Sequence, residues 1–153
     1  MSRRAQIMMS REEVEVFLEE HRVVACATNG RRGWPHVMPL WYVIREGELW
    51  AWTYAKSQKV RNLERDSRAT LQVEDGERYE DLRGVMIEAD TVLHRDTDRV
   101  AEVGAEILTR YGADDAGPGF NDAIQAQAAK RVALQFRAAR ITSWDHRKLR
   151  GVY

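Results

Sequence analysis

The chain has 153 residues, 44% hydrophobic and 31% charged, with 24 basic and 24 acidic side chains and no formal net charge. That length suits one domain spanning 1–153 with a real hydrophobic core, of ordinary soluble globular composition. Without a basic surplus to neutralise phosphates, nucleic acid is excluded as the expected main partner.

No apolar run nears the ~20 residues that span a bilayer, so no membrane partner is expected. The start, "MSRRAQIMMS", lacks the apolar stretch of a secretory signal, which makes the cytoplasm the expected compartment. Ser10 and Glu13 fit a capping box, and Val14, Phe17, Leu18 and His21 follow at helical spacing. This predicts a first helix ending near Arg22, with His21 as a packed or rim histidine. "VVACAT" is a β-branched strand that makes Cys26 a small core thiol, closed by the turn "NGRRG". "HVMPLWYVI" is a second strand, apolar on both faces as if flanked on either side. Pro39 inside it marks a bulge, an edge or a place where something else meets the backbone. His36, beside Pro35, is a strand-end histidine able to line a pocket.

After the turn "REGE", "LWAWTY" is the third strand and a helix is predicted from about Ser57 to Asp66. "ATLQVE" and "RGVMIEADTVLH" alternate as two further strands, Val85, Ile87, Ala89 and Thr91 sharing a face, with "DGERYEDL" as the tip between them. A longer helix spans about Thr97 to Tyr111, burying Val100, Val103, Ile107, Leu108 and Tyr111, with Gly112 as its stop. "ADDAGPGFND" is loop and "AIQAQAA" a short helical turn. The last strand, "RVALQFRAARITSW", places Val132, Leu134, Phe136 and Ala138 on one face. Six strands with short connections and three main helices predict an antiparallel barrel with helices packed outside.

The densest chemical pattern is "YAKSQK" at 54–59. Of the 24 basic residues only four are lysines, and Lys56 and Lys59 flank Ser57 at this strand-to-helix junction. A helix start offers free amides and a favourable dipole to an anion, and Lys59 adds a compact mobile charge suited to phosphate. Arg61 and Asn62 lie within one turn. Lys56, Lys59, Arg61 and Arg65 together form a basic segment. Trp41, Trp50 and Trp52 lie close enough to line one groove for a planar heterocycle, although core packing is the default for each. Asp145 and His146 in "WDHRK" are too few for a metal site, and neither a nucleophilic triad nor a glycine-rich dinucleotide fingerprint is present. Chemistry would therefore have to come from a cofactor, and no catalytic residue is assigned.

The order "GWPHVMPLWYV", "ELWAWTYAKSQKVRNLERDSRATLQVED", "LRGVMIEADTVL" and "RITSWDHRKL" resembles the pyridoxamine 5′-phosphate oxidase-like split-barrel superfamily. More narrowly it resembles the flavin/deazaflavin oxidoreductases, many of which use coenzyme F420 in place of FMN. The resemblance covers residues 10–149 and implies a homodimer of six-stranded split barrels, with the cofactor in a groove at the subunit interface. It assigns Ser57, Gln58 and Lys59 to the cofactor phosphate, with Arg61 and Asn62 beside it and Thr53 at the end of the strand feeding the site. Val37, Met38, Pro39 and Trp41 match the strand along which the ring lies, and Tyr79 and Trp144 are candidates from the second subunit. Two departures speak against vitamin oxidase activity: Gln58 replaces the arginine of the serine-arginine-lysine motif, and the C-terminal arginine-x-histidine signature is missing. The implied function is F420-dependent hydride transfer to an electron-poor small molecule. The alternatives are an FMN-dependent flavoprotein, or a protein that binds F420, haem or another tetrapyrrole without turnover.

Overall fold

The computed structural model describes residues 2–112 and 117–151. Among them, seven strands make one antiparallel sheet: β1 (Val23–Asn29), β2 (Pro35–Trp41), β3 (Val43–Arg45), β4 (Glu48–Tyr54), β5 (Arg68–Asp75), β6 (Arg83–His94) and β7 (Arg131–Asp145). Their order is β2-β1-β5-β6-β7-β4-β3. The helices are α1 (Arg3–Ile7), α2 (Arg11–Glu20), α3 (Gln58–Arg65), α4 (Thr97–Arg110) and α5 (Phe120–Ala128).

The extra strand arises because "HVMPLWYVI" breaks at Tyr42. Before the break the segment pairs with β1, and after it with β4, so one stretch of chain serves both edges of the sheet. Tyr42 is fully buried and its hydroxyl donates to Leu18 O at 2.6 Å, which fixes the bend. The sheet thereby curls into a split barrel with outer helices. β2 has one neighbour rather than the two expected, and an edge strand tolerates Pro39, which lacks an amide donor.

Two apolar clusters follow from strand alternation. Inside the barrel lie Val24, Cys26, Leu71, Val85, Ile87, Leu134 and Phe136, closed at one end by Val14, Phe17 and Leu18 of α2. Burying a side chain such as Phe17 contributes roughly 1.5–3 kcal/mol. Outside the barrel, Trp50 and Ala133 pack under Val100, Val103 and Ile107 of α4 and Ile124 and Ala128 of α5. The capping box of α2 is complete, as expected. His21 packs its ring on Phe17, with centroids 4.1 Å apart, and its Nδ1 donates to Phe17 O at 2.7 Å.

Two differences from expectation have local causes. Gly119, at φ +110°, starts α5 before Phe120, so "AIQAQAA" belongs to a nine-residue helix. Residues 113–116 of the expected loop lie outside the described residues. Ala138 shares the inward face of Val132, Leu134 and Phe136 but is exposed, because β4 ends opposite Phe136 and leaves β7 paired only with β6. The gap is covered by α1 and α2 over a mainly apolar cavity of about 570 Å³, whose walls include Met8, Leu18, Ile87, Ala138 and Ile141.

Candidate cofactor site

The opposite end of β4 carries the polar chemistry. Thr53 points inward near the end of β4, and α3 begins four residues later with Ser57 as its N-cap. The buried stripe of α3 is Lys59, Val60, Asn62 and Leu63. Lys59 therefore sits on the same helical face as Leu63, and only 6% of it is exposed. This corrects the expectation of a mobile surface ammonium: the i, i+3, i+4 spacing of 59, 62 and 63 was the available sign. Its Nζ donates to Thr53 Oγ1 at 3.3 Å, and no carboxylate of the described residues lies within salt-bridge distance. Burial holds its pKa below the usual lysine value. Cys26, fully buried nearby, has its thiol pushed up to about 11 by the same desolvation, only partly offset by Lys59, so it stays protonated and unreactive.

The remaining α3 residues divide into anchors and exposed groups. Asn62 is fully buried; its Nδ2 donates to Thr28 Oγ1 at 3.0 Å, and its Oδ1 accepts from Gln58 Nε2 at 2.9 Å. Arg65 donates to Asn29 O at 2.6 Å and to Asn62 Oδ1 at 3.3 Å. These bonds moor α3 to β1. Lys56, Gln58 and Arg61 are exposed. The expected run of four free basic groups is thus reduced, since Lys59 is buried and Arg65 is tied down. Ser57 Oγ accepts from Val60 N at 3.4 Å, a long cap that leaves the hydroxyl weakly committed.

β2 presents apolar surface that begins near this mouth and runs toward the end of α2. Val37, Met38, Pro39 and Trp41 are all exposed, as is Tyr54 at the end of β4. Met38 lies opposite the inward-facing Cys26, whereas Val37 and Trp41 lie opposite Ala27 and Val23 on the outer face. Trp41 stacks on Tyr111 with centroids 3.9 Å apart. The three tryptophans do not line one groove. Trp50 is buried under α4 and stacks on His94, and Trp52 packs so closely on Gly104 that a Cβ there would lie 2.2 Å from its Cζ3.

Tyr79 and Trp144 sit at the far end of the barrel. Tyr79, in the turn between β5 and β6, packs edge-on to His146, whose Nδ1 donates to Tyr79 O at 2.9 Å. Trp144 covers Gly84, where a Cβ would lie 2.3 Å from Cζ2. The length of β5, about 25 Å at the usual rise, separates them from α3 in the same chain. A partly open pocket of about 330 Å³ that the sequence only hinted at through His36 lies between the β1–β2 hairpin and α3. Its walls include Arg31, Arg32, Trp34, His36 and Gln58.

The profile of the pyridoxamine 5′-phosphate oxidase family matches residues 10–145. No curated protein matches the chain. Among solved structures, a conserved hypothetical protein from Mycobacterium tuberculosis is 36% identical with a TM-score of 0.89, covering 100% of this chain and 95% of its own. An F420 reductase matches with a TM-score of 0.68 and 20% identity over 87% of this chain and 98% of its own. The heme storage protein HutZ of Vibrio cholerae matches with a TM-score of 0.67 and 16% identity over 87% of this chain and 94% of its own. At those identities the last two report a shared fold.

Proposed function

Because the chain belongs to the pyridoxamine 5′-phosphate oxidase family, we propose that it is an oxidoreductase that binds a flavin-type cofactor, specifically reduced F420. One observation carries this reading. A buried ammonium that, among the described residues, has one hydroxyl partner and no carboxylate sits where a helix begins, near the start of an exposed apolar strip along β2. An isolated buried charge is costly, and an external anion is the natural partner that offsets it. The residues present therefore fit a phosphate-bearing planar cofactor.

Lys59 and Ser57 would hold the phosphate, and Val37, Met38, Pro39 and Trp41 would support the ring and exclude water. When bound, reduced F420 supplies a hydride from its ring C5 for transfer to an electron-poor double bond. The chain's own contribution is anchoring and orientation, and no side chain is assigned to proton transfer. The proposed assembly is a cytoplasmic homodimer, in which Tyr79 and Trp144 of the partner subunit reach the groove that they cannot reach within one chain. The exposed outer face of β1 and β2, with Val23, Val37 and Trp41, supports such pairing.

Parallel calorimetric titration of the purified protein with F420, FMN, FAD and haem tests the reading, followed by reduced-F420 oxidation against a panel of acceptors. F420 should bind at least about tenfold tighter than FMN, a gap of about 1.4 kcal/mol. Tighter FMN binding would reassign the protein as an FMN flavoprotein. Haem binding without deazaflavin binding, or tight F420 binding without turnover of any acceptor, would replace the enzyme by a carrier. Light scattering should return twice the chain mass of 17.7 kDa.

A further inference from the structure

We infer that the tip of the β1–β2 hairpin is a second anion subsite, built by Arg31, Arg32, His36 and Gln58, which takes the acidic extension of the cofactor beyond its first phosphate. The inference rests on the F420 reading above and moves the tail contact away from the basic face of α3.

The hairpin is held in shape by its own backbone. Gly30 N donates to Trp34 O at 3.1 Å, and a Cβ on Gly30 would lie 2.1 Å from that oxygen. Gly33 N donates to Gly30 O at 3.1 Å, with Gly33 at φ +82°. The turn thus presents Arg31 and Arg32 outward from a fixed base. Both are exposed, and neither has a hydrogen bond or ion pair among the described residues. Among the described residues, other arginines are also without a carboxylate; what sets these two apart is that both line one pocket.

The pocket that they line is chemically one-sided. Among the described residues its walls hold two guanidiniums, an imidazole, two amides and the indole of Trp34, and no carboxylate. His36 lines the pocket, its Nδ1 is buried with no hydrogen-bond partner among the described residues, and such an orphaned group marks a place for a ligand or ordered water. Gln58 lies on the pocket wall and is the chain neighbour of Lys59, so the two subsites adjoin. A ligand with its phosphate at Lys59 can run past Gln58 and place further carboxylates against the hairpin. Guanidinium forks suit carboxylates and phosphates alike. FMN ends at its one phosphate, whereas the phospholactate and glutamates of F420 continue.

The test compares binding of F420, its tail-free deazaflavin core and FMN to the parent protein and to Arg31→Ala/Arg32→Ala, by fluorescence titration at low and high salt. The double variant should lose about tenfold in F420 affinity at low salt and keep parent affinity for the core and for FMN. The loss should shrink at high salt, because exposed contacts are screened over ~8–10 Å. Unchanged F420 affinity, or an equal loss for F420 and the tail-free core, overturns the hairpin subsite. Arg31→Lys/Arg32→Lys, which keeps the charge on an exposed turn, should recover most of the loss; failure to recover any, with the fold intact by circular dichroism, also overturns it. Failure of the cofactor reading is seen separately, as tighter FMN than F420 binding by the parent itself.

Discussion

The two ends of the barrel differ in how their central cations are held. Around α2 and the β5–β6 tip, cations are paired. Arg83 meets Asp75 at 2.9 Å and Glu20 at 3.4 Å, Arg147 meets Asp145 at 2.6 Å, and Lys148 meets Glu13 at 2.6 Å. Around α3 and the β1–β2 hairpin, Lys59, Arg31 and Arg32 have no carboxylate partner among the described residues. Other cations at that end are paired, Arg95 with Glu64 of α3 at 2.5 Å and Arg68 with Asp66 at 2.7 Å, so the lack of a carboxylate belongs to these three groups rather than to the whole end. On the proposed function, those three cations are the ones an external anion would engage, while the paired groups hold the fold.

Arg110 should give the largest effect, and it belongs to the satisfied end. Its guanidinium donates to Tyr42 O at 3.0 Å, Leu18 O at 3.0 Å, Glu19 O at 2.9 Å and His21 O at 2.6 Å. It thereby caps the last carbonyls of α2, where the helix dipole favours a cation, and pins the bend at Tyr42. Arg110→Ala should lower unfolding free energy by about 3 kcal/mol, the scale of charge-assisted bonds left unmade. Denaturant titration reads that loss. If ligand affinity falls in proportion while stability is kept, the two ends are not separable.

Lys59→Met should do the reverse. Ligand affinity should fall by about 1.5–3 kcal/mol, the value of a charge-assisted bond to phosphate. The thermal midpoint should hold or rise, because an unpaired buried ammonium is replaced by apolar volume. A lower midpoint with unchanged affinity would make Lys59 a structural residue.

The pH dependence of the two ends should differ in its window, acid for one and alkaline for the other, although stability rises with pH in both. The Arg83 guanidinium holds Asp75 below the usual carboxylate range, and Arg147 does the same for Asp145. Their contribution is fully present above the unfolded value of 3.8 and is lost as pH falls through the lower folded values. Lys59 is shifted down from 10.5 by burial. The unfolded chain then binds more protons than the folded one between the two lysine values, so stability gains there as pH rises. Anion binding favours the ammonium, so in the alkaline range where folded Lys59 titrates it should draw in a proton. Calorimetry in buffers of different ionisation enthalpy should detect that uptake in the parent and not in Lys59→Met.

Most strands and the two best-patterned helices were legible, because one-sided burial leaves a period of 2 or 3.6 in the sequence. The break at Tyr42 was not, since "HVMPLWYVI" is continuously apolar and only pairing reveals that it changes neighbours. At the site, the α3 segment was found from "SQK". The burial of Lys59 was missed because a lysine invites a surface reading, even though it shares a stripe with Leu63. Arg31 and Arg32 were read as turn residues. Nothing local in "NGRRG" says that the hairpin folds over against Gln58, a residue 26 positions after Arg32.

The smallest expected effect compares two serine caps. At α2 the capping box is closed on both sides: Ser10 Oγ accepts from Glu13 N at 3.2 Å, and Glu13 Oε2 accepts from Ser10 N at 2.6 Å. At α3, Ser57 Oγ accepts from Val60 N at 3.4 Å, and the third helical residue, Val60, has no side-chain oxygen to reach back. Ser10→Ala should therefore cost about 1 kcal/mol of stability, and Ser57→Ala about 0.5 kcal/mol or less. The order should invert for binding. A hydroxyl spared from a full capping bond is available to a phosphate, so Ser57→Ala should weaken ligand affinity by about threefold to tenfold, and Ser10→Ala should leave it unchanged. Equal stability losses, with no effect on affinity from either substitution, would mean that Ser57 is only a cap and that Lys59 holds the anion without it.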